Sequence, residues 1–248
     1  MNSNYIYHYF AIKKRYLLQA FFSASSLKFF NPNAQIRLTI TNKDKTNLDL
    51  ELLNKFFDEI EVIDERNLHP YALKAVAIKQ CKKRQFYIDT DTLFLKDLNL
   101  PELNDAIGCC IDPISIYKGI DVQRFNSGVL LIDKSRDFLE LWANECIKNS
   151  LSMLRTKDRI KNKGYGDQFF LNQLSMRTKQ KFFVISEKYN YREYYYRSIG
   201  ITPLLQLNKI EILHRHNIKQ VINEYLPNDY IKEIKENFLK LKELYFEE

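Results

Sequence analysis

Gln85-Phe86-Tyr87-Ile88-Asp89-Thr90-Asp91-Thr92-Leu93-Phe94-Leu95 is the stretch from which the rest of the chain is read. Gln85–Ile88 has the apolar, aromatic and β-branched character of a buried strand, and it runs straight into two acids at i and i+2. In open α/β sheets ligands bind beyond the carboxyl ends of the strands, so Asp89 and Asp91 stand where a ligand would be met. Carboxylates at this spacing can converge on a hard divalent cation, Mn²⁺ or Mg²⁺, which in turn can bridge two phosphate oxygens. Chance alone supplies about one D-x-D to a chain with this much aspartate, so the weight lies in the flanking apolar runs rather than in the spacing.

On the amino-terminal side, Tyr5–Phe10 reads as a first strand and Ile12 to Phe30 as a long buried helix ended by Asn31-Pro32. Ile36–Thr41 alternates like a strand, Leu48–Phe57 reads as an amphipathic helix and Glu59–Ile63 as a short strand. Tyr71–Cys81 then reads as a helix begun after Pro70. Strands alternating with helices predict an α/β sheet with parallel strands. On the carboxyl side, Ile107–Ile111, Val129–Ile132, Lys181–Ile185 and Lys209–Leu213 are strand candidates. Ser135–Asn149 is a helix carrying the only tryptophan, Trp142, and residues 151–166 read as a loop with some helix. Near the end, Ile231, Ile234, Phe238, Leu241 and Tyr245 fall on one helical stripe, expected to pack on the chain's own core.

The 248 residues, 45% of them hydrophobic and only 6 each of Gly and Pro, suit one domain with a substantial core. No run of about 18 apolar residues offers a membrane span. The first ten residues lack the pattern of a signal peptide, which makes the cytoplasm the expected address. The four cysteines, Cys81, Cys109, Cys110 and Cys146, have no C-x-x-C spacing and are expected to be reduced core residues. The net charge of +7 is concentrated: residues 151–200 hold eleven Lys and Arg against four Asp and Glu. Such a surface would attract phosphates, anionic glycans or the inner face of the plasma membrane. No nucleic-acid motif accompanies it, and nucleic acid is not an expected partner.

Phe86–Thr92 also fits the D-x-D-x-T start of haloacid-dehalogenase-like phosphatases, in which the first Asp attacks phosphorus and the second moves a proton. Such enzymes need a later acidic pair for Mg²⁺. Gly166-Asp167 is followed by Leu171 where the second acid would stand, so this reading is the weaker one.

Three further segments complete an ordered set. Phe125-Asn126-Ser127-Gly128-Val129 begins 36 residues past Asp89, Gly166-Asp167-Gln168 with Leu171-Asn172 follows, and His214 comes after the apolar Ile210–Leu213. The order D-x-D, F-N-S-G-V, G-D-Q-x-x-L-N and a late His resembles glycosyltransferase family 8, the group that includes glycogenin, over about residues 5 to 219. The resemblance implies an α/β fold of the GT-A type: one domain with a Rossmann-like, mixed but mostly parallel sheet flanked by helices. Residues 1–95 would form its nucleotide-binding half, 96–220 the sugar and acceptor half, and 221–248 a C-terminal amphipathic helix.

It further implies Asp89, Asp91 and His214 as metal ligands, and Phe10, Ala11, Tyr16, Lys74 and Thr90 as contacts to the nucleotide. Asp112, Asn126, Ser127 and Gly166 would meet the sugar, and Asp167 and Gln168 would lie beside the anomeric carbon. The donor would be a UDP-sugar and the acceptor a glycan or glycolipid. The resemblance also implies retention of anomeric configuration, by attack on the face that the phosphate leaves, since Gln168 is a weak nucleophile for a double displacement.

Two departures bear on these expectations. The family's last motif is H-x-x-G-x-x-K, whereas here His214 is followed by Arg215, His216, Asn217, Ile218 and Lys219, which leaves His216 as an alternative ligand. The second strand ends in Thr41-Asn42 where Thr-Asp is expected. The aromatic and basic run Tyr189–Arg197 suggests contacts to an acceptor, or else a packed loop. Lys-, Asn- and Ile-rich usage points to a bacterium and so to cell-surface glycan such as lipooligosaccharide, or to storage glycan. A catalytically inactive relative that binds nucleotide sugars is the third reading.

Overall fold

The computed structural model describes residues 5–42, 53–64, 67–112, 125–151, 166–192 and 209–214, together with 228, 229, 232 and 236. The basic stretch 152–165, most of the aromatic run after Tyr189, His216 and the apolar C-terminal stripe lie outside the described residues, as does the first half, 48–52, of the segment 48–57.

The strands are β1 (Ile6–Phe10), β2 (Ile36–Thr41), β3 (Glu59–Ile63), β4 (Gln85–Ile88), β5 (Thr92–Phe94), β6 (Ala106–Ile111), β7 (Phe125–Ile132), β8 (Lys181–Val184) and β9 (Ile212–His214). Seven of them form one sheet in the order β3-β2-β1-β4-β7-β6-β8. β7 is antiparallel to both of its neighbours, and every other pairing in this sheet is parallel. β5 and β9 pair antiparallel as a separate two-stranded sheet.

Among the described residues, four helices flank the sheet: α1 (Lys13–Phe30), α2 (Pro70–Gln80), α3 (Arg136–Lys148) and α4 (Asp167–Arg177). Leu17, Ala20, Ala24 and Leu27 of α1 fall on one stripe and pack with Tyr7, Tyr9, Phe86, Ile88, Val129 and Leu131. The opposite sheet face, with Tyr87, Leu130 and Ile132, packs on α2, α3 and α4 through Ala75, Ile78, Trp142 and Leu171. Strands buried on both faces read as continuous apolar runs, which is why Phe86–Ile88 shows no alternation. Pro70 opens α2, and His69 before it accepts the Tyr71 N–H at its ring nitrogen.

Two strand starts differ from the sequence expectation by more than one residue. β7 begins at Phe125, four residues before the expected Val129, and so takes in Asn126, Ser127 and Gly128. These residues have poor strand propensity, but the Asn172 side chain receives the Phe125 N–H at 2.6 Å and donates to the Phe125 carbonyl at 2.8 Å. A side chain from α4 thus satisfies the strand's backbone. The last strand begins at Ile212 instead of Lys209, because Glu211 bonds across to Leu95 and Lys188.

Buried hydroxyls fix the turn after β4. The Thr92 hydroxyl donates to the Asp89 carbonyl at 2.9 Å. With that proton committed, Ser23 of α1 donates to Thr92 at 2.7 Å and Tyr9 of β1 donates to Ser23 at 3.0 Å. Ser26 accepts the Phe94 N–H at 3.0 Å, which seats β5 on α1. The core of the sheet thereby sets the geometry of Asp89-Thr90-Asp91.

Candidate functional site

Asp89, Asp91 and His214 come together although 123 residues separate the last two. Each offers a ligand atom, and the three atoms lie within 4.8 Å of one another. β4 delivers Asp89 at its carboxyl end, the hydroxyl-pinned turn delivers Asp91, and the pairing of Thr92 with His214 brings the imidazole alongside. His214 Nε2 is 3.0 Å from Asp91 Oδ1 and 4.0 Å from Asp89 Oδ2. Two carboxylates and an imidazole form a donor set suited to a divalent cation.

Gly128 makes the approach possible. A Cβ at this position would sit 2.7 Å from His214 Cε1, 2.8 Å from Asp89 Oδ2 and 2.9 Å from Asn126 Oδ1. No side chain fits there without displacing the ligand atoms, so the glycine of F-N-S-G-V is required by the close packing of this group.

A second cluster joins the first through Lys74. Its ammonium lies 2.9 Å from Asp89 Oδ1 and 3.1 Å from Asp167 Oδ2, and is almost fully buried. Burial works against this charge, but the carboxylates of Asp167 and Asp89 outweigh it and hold the lysine above its ordinary pKa. The Ser127 hydroxyl donates to Asp167 Oδ2 at 2.6 Å, and Trp142 Nε1–H donates to the Asp167 carbonyl at 2.9 Å. Asp167 opens α4, where a carboxylate is favoured by the helix dipole. Tyr87 donates its hydroxyl to Asp89 Oδ1 at 3.1 Å; burial, then the Asp89 charge, push the phenol well above its usual pKa.

Gln168 is held at both ends of its amide. Its Nε2 donates to Asp112 Oδ2 at 2.7 Å, while its Oε1 receives Asn126 Nδ2 at 3.2 Å and the Ser127 N–H at 3.4 Å. Asp112, Asn126, Ser127, Asp167, Gln168, Lys74 and the Asp89–Asp91–His214 group therefore form one continuous network.

The remaining expected residues are placed differently. Thr90 is buried and its hydroxyl meets Gln19 of α1 at 3.3 Å. Gly166 is the residue before α4, with the Tyr71 ring beside it. Phe10 and Ala11 end β1, where the Ala11 N–H donates to the Thr39 carbonyl, and Tyr16 is exposed on the first turns of α1. No hydrogen bond among the described residues ties Phe10, Ala11 or Tyr16 into the network. Asn42, at the departure from Thr-Asp, donates to Asp64 at 3.2 Å, which puts an acid from the end of β3 next to it. The four cysteines are buried and free.

Asn190, Tyr87 and Trp142 belong to the network and were not legible as such, whereas Asn172 was marked only as the end of the G-D-Q-x-x-L-N segment. Asn190 lies inside the aromatic run, and no local pattern marks it.

No protein-family model and no curated protein matches the chain. Solved structures do match. The glycosyltransferase GlyE of Streptococcus pneumoniae TIGR4 superposes with a TM-score of 0.60 at 20% identity over 96% of this chain, which spans 64% of that protein's chain. An active-site mutant of LgtC superposes with a TM-score of 0.56 at 17% identity, covering 94% of this chain and 95% of that one. The galactosyltransferase LgtC in complex with donor and acceptor sugar analogs gives 0.54 at 16% identity over 92% and 99%.

The fold is GT-A. In that fold the Asp89 group stands at the carboxyl end of a central parallel strand, beside the one antiparallel strand of the main sheet. No helix among the described residues is long and apolar enough to cross a membrane.

Proposed function

We propose that this chain is a metal-dependent glycosyltransferase that moves a sugar from a nucleoside-diphosphate donor, a UDP-sugar, to a glycan or glycolipid acceptor. The observation that carries the reading is the convergence of Asp89, Asp91 and His214 beyond β4 in a GT-A fold. These three residues would hold Mn²⁺ or Mg²⁺. Bound there, the cation supplies Lewis-acid stabilisation of the charge that builds on the departing diphosphate.

The chain's own residues account for the rest. Lys74 keeps a positive charge between Asp89 and Asp167 in a water-poor setting, and would be available to a donor phosphate once a bound cation compensates those carboxylates. Asp167 places negative charge where an oxocarbenium-like carbon would develop positive charge. Gln168, its carbonyl oxygen already accepting two N–H groups, orients the sugar and is a poor attacking group. That fits retention by attack on the face that the phosphate leaves. Phe10, Ala11, Tyr16 and Thr90 are assigned to the nucleotide, and Asp112, Asn126, Ser127 and Gly166 to the sugar. Synthesis of a bacterial cell-surface glycan is the setting proposed.

The test is calorimetric titration of UDP in the presence of Mn²⁺ or chelator, on the wild type and on Asp91→Ala. Binding that needs Mn²⁺ and weakens by about 100-fold or more in the variant is the expected result. Absence of binding to UDP and to other nucleoside diphosphates, with hydrolysis of a chromogenic phosphate, would overturn it in favour of the phosphatase reading.

A further inference from the structure

We propose that Asn190 is the positioning residue that fixes His214 Nδ1 as a hydrogen-bond donor, so that Nε2 is the nitrogen turned towards Asp91 and Asp89, and that couples this group to the cluster around Gln168. The inference rests on the metal reading of that group and deepens it.

The polarity of each hydrogen bond follows from a donor whose identity is beyond choice. The Gly128 backbone N–H donates at 2.8 Å to Asn126 Oδ1, so that atom is the amide oxygen. Asn190 approaches the same oxygen at 2.9 Å and must therefore present its Nδ2. Its Oδ1 is then the atom 2.6 Å from His214 Nδ1, and an oxygen at that distance requires Nδ1 to carry a hydrogen. The other end of the network agrees. The Asp112 carboxylate fixes Gln168 Nε2 as the donor, leaving Gln168 Oε1 to accept from Asn126 Nδ2. Asn126 is thus oriented independently from two sides.

With Nδ1 committed to Asn190, the nitrogen turned to Asp91 Oδ1, at 3.0 Å, is Nε2. At that separation the two atoms share either a proton or a metal cation. Asn190 and His214 are buried, so neither amide nor imidazole turns over without leaving polar groups unsatisfied. The histidine is presented as a ligand before any cation arrives, and the residue that presents it also touches Asn126. Asn190 comes from the turn after the short 3-10 helix Glu187–Tyr189, beside the Tyr191–Leu213 bridge that holds this turn against β9.

The experiment reads the tautomer first. In metal-free ¹⁵N-labelled protein, long-range proton–nitrogen correlations of His214 are expected to report a hydrogen on Nδ1. Mn²⁺ affinity, followed by the electron paramagnetic resonance of the free ion, is expected to weaken about 10- to 100-fold in Asn190→Ala. Asn190→Asp keeps the acceptor for Nδ1–H but turns its second oxygen on Asn126 Oδ1, which accepts from Asn190 Nδ2 in the wild type. It is expected to bind Mn²⁺ more tightly than Asn190→Ala and less tightly than wild type, an order that loss of packing would not show.

A His214 Nδ1 that carries no hydrogen in the wild type overturns the assignment, as does wild-type Mn²⁺ affinity in a folded Asn190→Ala. Should that variant not fold, the presence or absence of the Nδ1 hydrogen in the wild type still decides. Failure of the wild type to bind Mn²⁺ overturns the metal reading itself; the two failures are distinguishable because the tautomer is read with no metal added.

Discussion

His8 and His214 are both buried on strands of this chain and are both tied at Nδ1 by a side-chain amide, yet they are built for opposite ends. His8 sits in the middle of β1, with Nδ1 2.7 Å from Gln85 Oε1 and Nε2 2.8 Å from Thr39 Oγ1. Gln85 in turn donates to the Ile78 carbonyl at 2.8 Å, which orients its amide and closes a neutral chain across β2, β1, β4 and α2. Burial lowers the His8 pKa to about 3, so this imidazole stays uncharged. His214 has a comparable amide at Nδ1, but its Nε2 faces carboxylates instead of a hydroxyl. Burial therefore does not separate a structural histidine from a ligand. What faces the second nitrogen does.

The comparison breaks most visibly at Lys74, the cation already present on the His214 side. Lys74→Met leaves the Asp89 and Asp167 carboxylates facing each other with no countercharge, and is expected to cost about 3–5 kcal/mol of stability in urea unfolding. Added Mn²⁺ should return part of that loss if the group takes a divalent cation.

On the His8 side the expected effect is set by acid. Its folded pKa lies below the ordinary 6.5, so the unfolded chain takes up the proton first. The contribution of the neutral imidazole is complete above pH 6.5 and is lost as the pH falls from there towards about 3. At about 1.4 kcal/mol per pH unit, the wild type should lose about 2 kcal/mol by pH 5 relative to His8→Gln, each referred to its own stability at pH 7. Equal slopes for the two proteins would show that His8 titrates normally.

Tyr87 touches both regions, its ring edge-on to His8 at 5.8 Å and its hydroxyl on Asp89. Tyr87→Phe removes only the hydroxyl and is expected to cost about 1 kcal/mol in urea unfolding, with the acid dependence of His8 unchanged. A change in that acid dependence would mean the two regions are one coupled unit.

The framework of the fold was legible because it is local. The β4 strand, the acids that end it, the Pro70 start of α2 and the apolar stripe of α1 follow from residue type and spacing over a few positions. Asp89 and Asp91 could be singled out for the same reason: a strand running into paired acids is visible in seven residues.

Pairing between distant segments was not legible. The extension of β7 through Asn126 and Ser127 contradicts their propensity and depends on a side chain from α4. The shift of the last strand to Ile212 depends on its pairing with β5. The sequence alone determined the alternation of strands and helices, the acids at the end of β4 and the candidate ligand His214. Only the tertiary structure decided that Lys74 lies between two carboxylates, that Gly128 must lack a side chain, and that Asn190 orients the imidazole. Those relations are distances and hydrogen-bond polarities between residues far apart in the chain, and composition and spacing carry no record of them.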